Sequence, residues 1–235
     1  MANPYFYFPS LSRQVDEFVL DENSSRHVVQ VLRMKMDEKL QLTDGKGLSA
    51  LATIRDANKK RCVVSVSEKQ LQEPAKRRTQ IGLSLLKNVS RFEWFLEKAT
   101  ELGITEIIPL KSARTEKQQF RMDRMKGILE SALIQSQQVW LPDIREPQSF
   151  SGWIGSTQAD QKFIAHCEPG PKRRLTEMIN TNLSSHLILI GPEGDFSEEE
   201  ITQALGAGFV AVELGSNRLR SETAAVAAAA ILKLL

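Results

Sequence analysis

Cysteine and histidine are scarce in this chain: Cys62, Cys167, His27, His166 and His186 are all that 235 residues contain. The two cysteines stand far apart in apolar or strand-like settings, so neither a disulfide framework nor a zinc-ligand spacing is available. Both read as small buried thiols of a reduced chain. The histidines are not at metal-ligand spacing, and no metal site is expected. No serine or cysteine sits in a nucleophile elbow, which removes support for hydrolysis through a covalent intermediate. The opening MANPYFYF lacks the basic stretch and long apolar run of a signal peptide, and no apolar run approaches a membrane span, so a soluble cytoplasmic protein is expected. Charge of one sign is missing too. Lys and Arg number 31 against 29 Asp and Glu, a net +2, so any case for nucleic acid must rest on local clusters. Internal repeats and low-complexity tracts are absent.

What is present divides into two rhythms. Residues 1–72 hold short extended segments (YFYF, KLQLTDG, LSALATI, CVVSVSEKQ) with Asp44-Gly45 as a turn signal, and one short helix is expected over SSRHVVQVLRM. The polar, basic QEPAKRRTQ that follows reads as a linker. Residues 73–235 then alternate strand candidates (IGLSLL, EIIPL, KFIAHC, LILIG, FVAVELG) with helix candidates (RFEWFLEKATELG, MDRMKGILESALIQSQQV, RRLTEMIN, EEEITQALGAG and the alanine-rich C-terminal segment). Such alternation predicts an α/β domain with a mostly parallel sheet. The C-terminal helix is apolar or alanine on nearly every side, the mark of burial in a core or a subunit contact.

Two stretches carry the strongest chemical signal. In LILIGPEGDFSEEEI a buried strand runs into Gly191-Pro192-Glu193-Gly194, and Ser197 with Glu200 has the spacing of a capping box. Glycines at a strand-to-helix turn let backbone amides approach a ligand, at the strand ends where open α/β sheets bind ligands. The stretch is neither GxGxxG nor a P-loop, and an ordinary βα turn would look the same. In ELGSNRLRSETAAV, Arg218 and Arg220 precede a helix start expected at Ser221, where the positive end of the helix dipole disfavours cations. Either an anionic partner accounts for them, or salt bridges to Glu213 or Glu222 do. A basic helix face at Arg26, His27 and Arg33, with Val28, Val31 and Leu32 as its apolar stripe, suits phosphate contacts or plain solvation.

HVVQVLR, DGKG, EKATELG, IGPEGDFS and LGSNRLRSETA stand in the order seen in the RsmE family of SPOUT-class methyltransferases, and the chain resembles that family from about His27 to the last helix. The family often has a second glycine where this chain has Asp195, and usually Ile-Leu-Arg where it has Arg218-Leu219-Arg220.

The resemblance implies a PUA-like β-barrel RNA-binding domain (1–72) ahead of a SPOUT methyltransferase domain (73–235) with a C-terminal trefoil knot. It implies S-adenosylmethionine as cofactor, N3 of a uridine in 16S ribosomal RNA of the small subunit as target, and a homodimer. By matching motifs, the cofactor pocket would include Cys167, Glu168, Ile190, Gly191, Glu193, Gly194, Leu214, Gly215, Leu219, Arg220 and Thr223. Uracil N3 bears a proton, so a group must accept it or stabilise the developing anion. Arg220 is the candidate for the second role, and Glu193 and Glu222 are weaker candidates for a base. Arg26, His27, Arg33, Arg91, Lys98, Arg114 and Arg124 are placed toward RNA. Ribose 2′-oxygen methylation and a non-catalytic ribosome-binding role are the alternatives.

Overall fold

The computed structural model describes residues 3–116 and 120–235. It divides into two compact units. The first comprises residues 1–74 with 133–141, and the second residues 75–132 with 142–235.

In the first unit, β1 (Tyr5–Tyr7), β2 (Glu17–Val19), β3 (Lys39–Thr43), β4 (Leu48–Asp56) and β5 (Val63–Leu71) form one sheet in the order β1-β3-β4-β5-β2. β4 alternates buried and half-buried residues along most of its length, the period-2 signature of a sheet with one face on a core. That core holds Phe6, Leu40, Leu42, Ile54, Cys62 and Val64. The expected helix over SSRHVVQVLRM is only partly right. α1 (Glu22–Arg26) is capped by Asp21 and gives way to a π-helical turn over His27–Val31. The wider turn rotates the apolar stripe away from the core. Val28 is buried, but Val31 and Leu32 are exposed at 64% and 39%, and Arg33 leaves the turn at φ 55°.

A contiguous domain ending at residue 72 makes no provision for 133–141. Those residues belong to the first unit because Gly47 N–H donates to Val139 O at 2.8 Å and Leu141 N–H to Gly45 O at 2.9 Å. Gly47, at φ 99°, has no side chain to spare: a Cβ there would lie 2.5 Å from the Trp140 ring.

The second unit contains β6 (Arg78–Ser84), α2 (Val89–Glu101), β7 (Glu106–Lys111), most of α3 (Met122–Ser136), β8 (Asp143–Ile144), β9 (Gln148–Ser149), α4 (Phe150–Trp153), β10 (Gln161–Ala165), β11 (Arg173–Arg174), α5 (Leu175–Met178), β12 (Ser185–Ile190), α6 (Glu198–Gly206), β13 (Val210–Glu213) and α7 (Ser221–Leu234). Its strands run β11-β13-β10-β12-β6-β7-β8, every pairing parallel, with β9 also on β7. β6, β7 and β12 are almost continuously buried, as strands of a parallel sheet covered on both faces must be. RRLTEMIN, expected as a helix, is instead the two-residue strand β11 followed by the four-residue α5. α2 sets Phe92, Phe95, Leu96 and Ala99 inward, as its periodicity predicts, and α7 packs against it with Ala225, Ala228, Ala229 and Leu232 buried.

Two buried polar side chains stand out. Glu106 is 2% exposed and holds Arg78, Arg145 and Gln80 on its carboxylate. His186 is fully buried on β12; one ring nitrogen meets Asn180 O at 3.1 Å and Nδ1 has no partner among the described residues. Burial pushes the His186 pKa down. Its stabilising neutral form is therefore intact above the unfolded-state value near 6.5, and stability is lost as pH falls below that, because the unfolded chain takes up the proton first. Thermal melts between pH 8 and pH 5 should show a shallower acid-side loss for His186→Gln than for the wild type. Parallel curves would remove His186 as a source of acid lability.

Candidate active site

β13, β10 and β12 are adjacent in the sheet, and their carboxyl ends open together into a cavity of about 690 Å³. This is the strand-end position where parallel α/β sheets bind ligands. Residues 165–167, 190–193 and 212–221 line it, together with Lys172, Asp195 and Ala224.

The 191–195 turn is tightly built. A Cβ on Gly191 would lie 3.0 Å from Phe196 N and 3.1 Å from Asp195 Oδ1. Asp195 N–H closes the turn on Pro192 O at 2.9 Å, and the Ser197–Glu200 capping box fixes the start of α6. Asp195 has φ 66°, the left-handed region that glycine tolerates best. Its carboxylate explains why a side chain is kept there. Oδ2 accepts from Cys167 N–H at 2.6 Å and Oδ1 from Phe196 N–H at 2.8 Å, so one residue ties the β10 loop to the β12 loop.

Asp195→Ala should lower stability by about 2 kcal/mol, since it loses both bonds and keeps a Cβ in the left-handed region. Asp195→Gly loses the same bonds without that strain and should be milder by about 1 kcal/mol. Denaturant titration ranks the pair, and the reverse order would overturn this account of the turn.

The 212–221 segment carries free donors. From Gly215 to Arg220, no backbone N–H donates to an acceptor among the described residues. Ser221, expected as the N-cap of α7, is instead its first helical residue and is buried. The cap position belongs to Arg220, in extended conformation and without a capping side-chain bond. The salt-bridge explanation for the two arginines fails: Glu213 lies 3.8 Å from Arg174, and Glu222 lies 3.6 Å from Arg91. Arg218 and Arg220 line the cavity, exposed, with no ion pair among the described residues.

Of the sequence-derived cofactor residues, Cys167, Ile190, Gly191, Glu193, Leu214, Gly215, Leu219 and Arg220 line the cavity; Glu168, Gly194 and Thr223 do not. Gly194 O accepts from Arg114 Nη1 at 2.6 Å, Glu168 O accepts from Lys172 Nζ at 2.7 Å, and Thr223 is exposed. Cys167 is exposed at the rim rather than buried, with burial and then the Asp195 charge raising its thiol pKa. It is no reactive thiolate.

Glu193 accepts Lys87 N–H at 3.1 Å on both oxygens. Glu222 is 7% exposed, its Oε2 has no partner among the described residues, and it does not line the cavity. Sequence reasoning missed His166, Lys172 and Asp195. Lys172 Nζ reaches back to His166 O at 2.8 Å and closes that loop. Both His166 ring nitrogens are buried without a partner among the described residues, and burial, reinforced by the Lys172 charge, lowers its pKa. The ring is therefore neutral near pH 7.

Four of the seven basic residues placed toward RNA are paired with carboxylates. Arg26 pairs with Glu22 at 2.9 Å, Lys98 bonds Glu97 and Glu101, Arg91 meets Glu222 and Arg124 is held by Glu93. His27 is exposed, edge-on to Phe6, and Arg33 is exposed.

Comparison with known proteins agrees with this architecture. Residues 72–233 match the family model described as RNA methyltransferase domain, and residues 20–67 match RNA methyltransferase PUA domain. Ribosomal RNA small subunit methyltransferase E of Buchnera aphidicola is 30% identical over 222 residues, covering 90% of this chain and 85% of that one. A probable rRNA-methyltransferase from Porphyromonas gingivalis is 34% identical with a TM-score of 0.88, covering 96% and 95%. The ribosomal RNA small subunit methyltransferase E of Neisseria gonorrhoeae, solved with S-adenosyl methionine, is 29% identical with a TM-score of 0.89, covering 99% and 98%. With its parallel sheet, strand-end cavity and five-stranded first unit, the chain belongs to the ribosomal RNA small subunit methyltransferase E (RsmE) family of RNA methyltransferases.

Proposed function

We propose that this protein binds S-adenosylmethionine in the strand-end cavity and methylates N3 of a uracil in small-subunit (16S) ribosomal RNA, acting as a homodimer. The observation that carries the reading is the free arginine pair on the wall of a cavity suited to the cofactor. Its volume of about 690 Å³ lies within the usual range for small-molecule sites. Leu214 and Leu219, half-buried on the wall, offer apolar surface to a base. The unbonded N–H groups from Gly215 to Arg220 offer donors to the cofactor's polar atoms.

S-adenosylmethionine supplies an electrophilic methyl group. The remaining work falls to the chain. Uracil N3 is a poor nucleophile until its proton leaves, and the negative charge that develops spreads over the base. Arg220 stabilises that charge, aided by the unpaired N–H groups at the start of α7, whose dipole favours an anion there. Glu193, on the cavity wall with its carboxylate accepting Lys87 N–H, is the group placed to receive the N3 proton, and Glu222 lies off the wall. The target uridine must be unpaired or flipped out. Arg26, His27, Arg33, Arg91, Lys98, Arg114 and Arg124 supply salt-sensitive RNA contacts. For those in exposed ion pairs, a phosphate can replace the carboxylate at small cost.

The test is methylation of purified small subunits lacking this modification, with nucleoside mass spectrometry of the digested RNA. N3-methyluridine at one site is the expected product. Ribose methylation would overturn the target atom, and failure to bind S-adenosylmethionine would overturn the enzyme reading. Light scattering checks the homodimer.

A further inference from the structure

A second cavity, of about 550 Å³, lies at the opposite, amino ends of the strands of the same sheet, where β6 and β12 begin. Lys76, Arg77 and Lys233 line it. Among the described residues none of the three has an ion pair with a side chain. Arg77 donates to Thr181 O at 3.0 Å, which fixes the loop ahead of β12. Thr79, also in the wall, is fully buried, and its Oγ1 has no partner among the described residues. Thr181 and Asn182 complete the polar lining.

The negative end of the α7 dipole accounts for one cation, Lys233, in the last turn. It does not account for three. Burial, and after it the charge of Arg77, lowers the Lys233 pKa, so the cluster disfavours its own charge until an anion joins it. Cations gathered with no Asp or Glu in the wall, beside a buried hydroxyl without a partner among the described residues, suit phosphate oxygens, which accept charge-assisted bonds from the cations and a hydrogen bond from the hydroxyl.

We propose that this cavity holds a phosphodiester of the substrate RNA, anchoring the strand on the far side of the methyltransferase unit from the reacting base. The proposal rests on the RNA-methylating reading above. β12 spans six residues between the two cavities, about 20 Å at the usual rise per strand residue, a distance that a few nucleotides cover.

The test is fluorescence anisotropy of a labelled small-subunit RNA fragment carrying the target uridine, titrated with the full chain over a range of KCl concentrations. The double variant Lys76→Gln/Lys233→Gln keeps Arg77 and its loop contact. Two lost phosphate contacts should raise Kd about 10-fold near 0.1 M salt and reduce the slope of log K against log salt by about 1.5. Calorimetry with S-adenosylmethionine should give an unchanged Kd, confirming an intact fold. Lys76→Gln alone, at an exposed position, should show about half the change in slope. Unchanged RNA affinity and slope, with cofactor binding intact, would overturn the proposal. Inorganic phosphate protecting Lys233 from amine-directed labelling, with RNA affinity unaltered in the variants, would assign the cavity to a free anion and also overturn it. If the wild type binds RNA but methylates no small subunit, the methylation reading fails and the anisotropy series still decides this site.

Discussion

Arg220→Ala should lower the single-turnover rate of methyl transfer by about 100- to 1000-fold, with the Kd for S-adenosylmethionine changed by less than about 3-fold. The size of the effect follows from the electrostatics of the loop. Arg220 holds the N-cap position of α7, where the dipole already repels a cation, and the two nearby carboxylates are committed to Arg174 and Arg91. A positive charge kept under those conditions is uncompensated in the resting protein and available to an anion that exists only during reaction. Stabilising that anion and not the neutral uracil is what raises kcat. Arg220→Lys keeps the charge but loses the planar fork, and should recover part of the rate. Arg218→Ala removes a second arginine from the wall and should act mainly on the KM for RNA. If Arg220→Ala reacted at the wild-type rate and only its RNA affinity fell, Arg220 would be a binding residue and the source of transition-state stabilisation would lie elsewhere.

Much of this site was legible in the sequence because it is built from strand ends. Gly191 and Gly194 after an apolar run, and Leu214-Gly215 after another, mark where a parallel sheet turns its backbone toward a ligand, and Gly191, Leu214 and Gly215 do line the cavity. Periodicity also placed the buried face of α2. What stayed hidden depends on contacts between distant residues. Asp195 reads as a departure from a glycine until its carboxylate is seen on Cys167 N–H. Lys172 joins the wall because its Nζ returns to His166 O, a bond that no spacing announces. Thr223 is three residues beyond Arg220, but the turn of α7 carries it off the cavity wall. Residues 133–141 join the first unit through Gly47, whose close approach to Trp140 no local spacing announces. The basic helix face was legible as charge, and its π-helical turn was not, since local propensity does not distinguish it from an α-helix.

Phe196→Ala should cost about 3–5 kcal/mol, the largest stability loss expected near the site. Phe196 is fully buried, its ring 5.3 Å from that of Phe150, in a cluster with Trp153, Ile164, Leu189 and Ile201. The cost combines lost transfer free energy with a cavity that strands on one side and α6 on the other cannot collapse to fill. Melting of the second unit should fall by about 6–20 °C. The loss should not stay in the core. Phe196 N–H is held by Asp195 Oδ1, and the same backbone nitrogen sits 3.0 Å from where a Gly191 Cβ would be, so the ring anchors the turn that forms one wall of the candidate active site. Cofactor affinity should therefore drop along with stability, by about 10-fold. Because a ligand that binds only the folded state stabilises it by mass action, S-adenosylmethionine at 100 times its Kd should restore about 2.7 kcal/mol to the variant, at a concentration about 10-fold higher than the wild type needs. Phe196→Leu, which keeps most of the volume, should recover most of both losses. A variant that melts early and yet binds the cofactor with wild-type affinity would show that the 191–195 turn is held by its own hydrogen bonds and not by the ring beneath it.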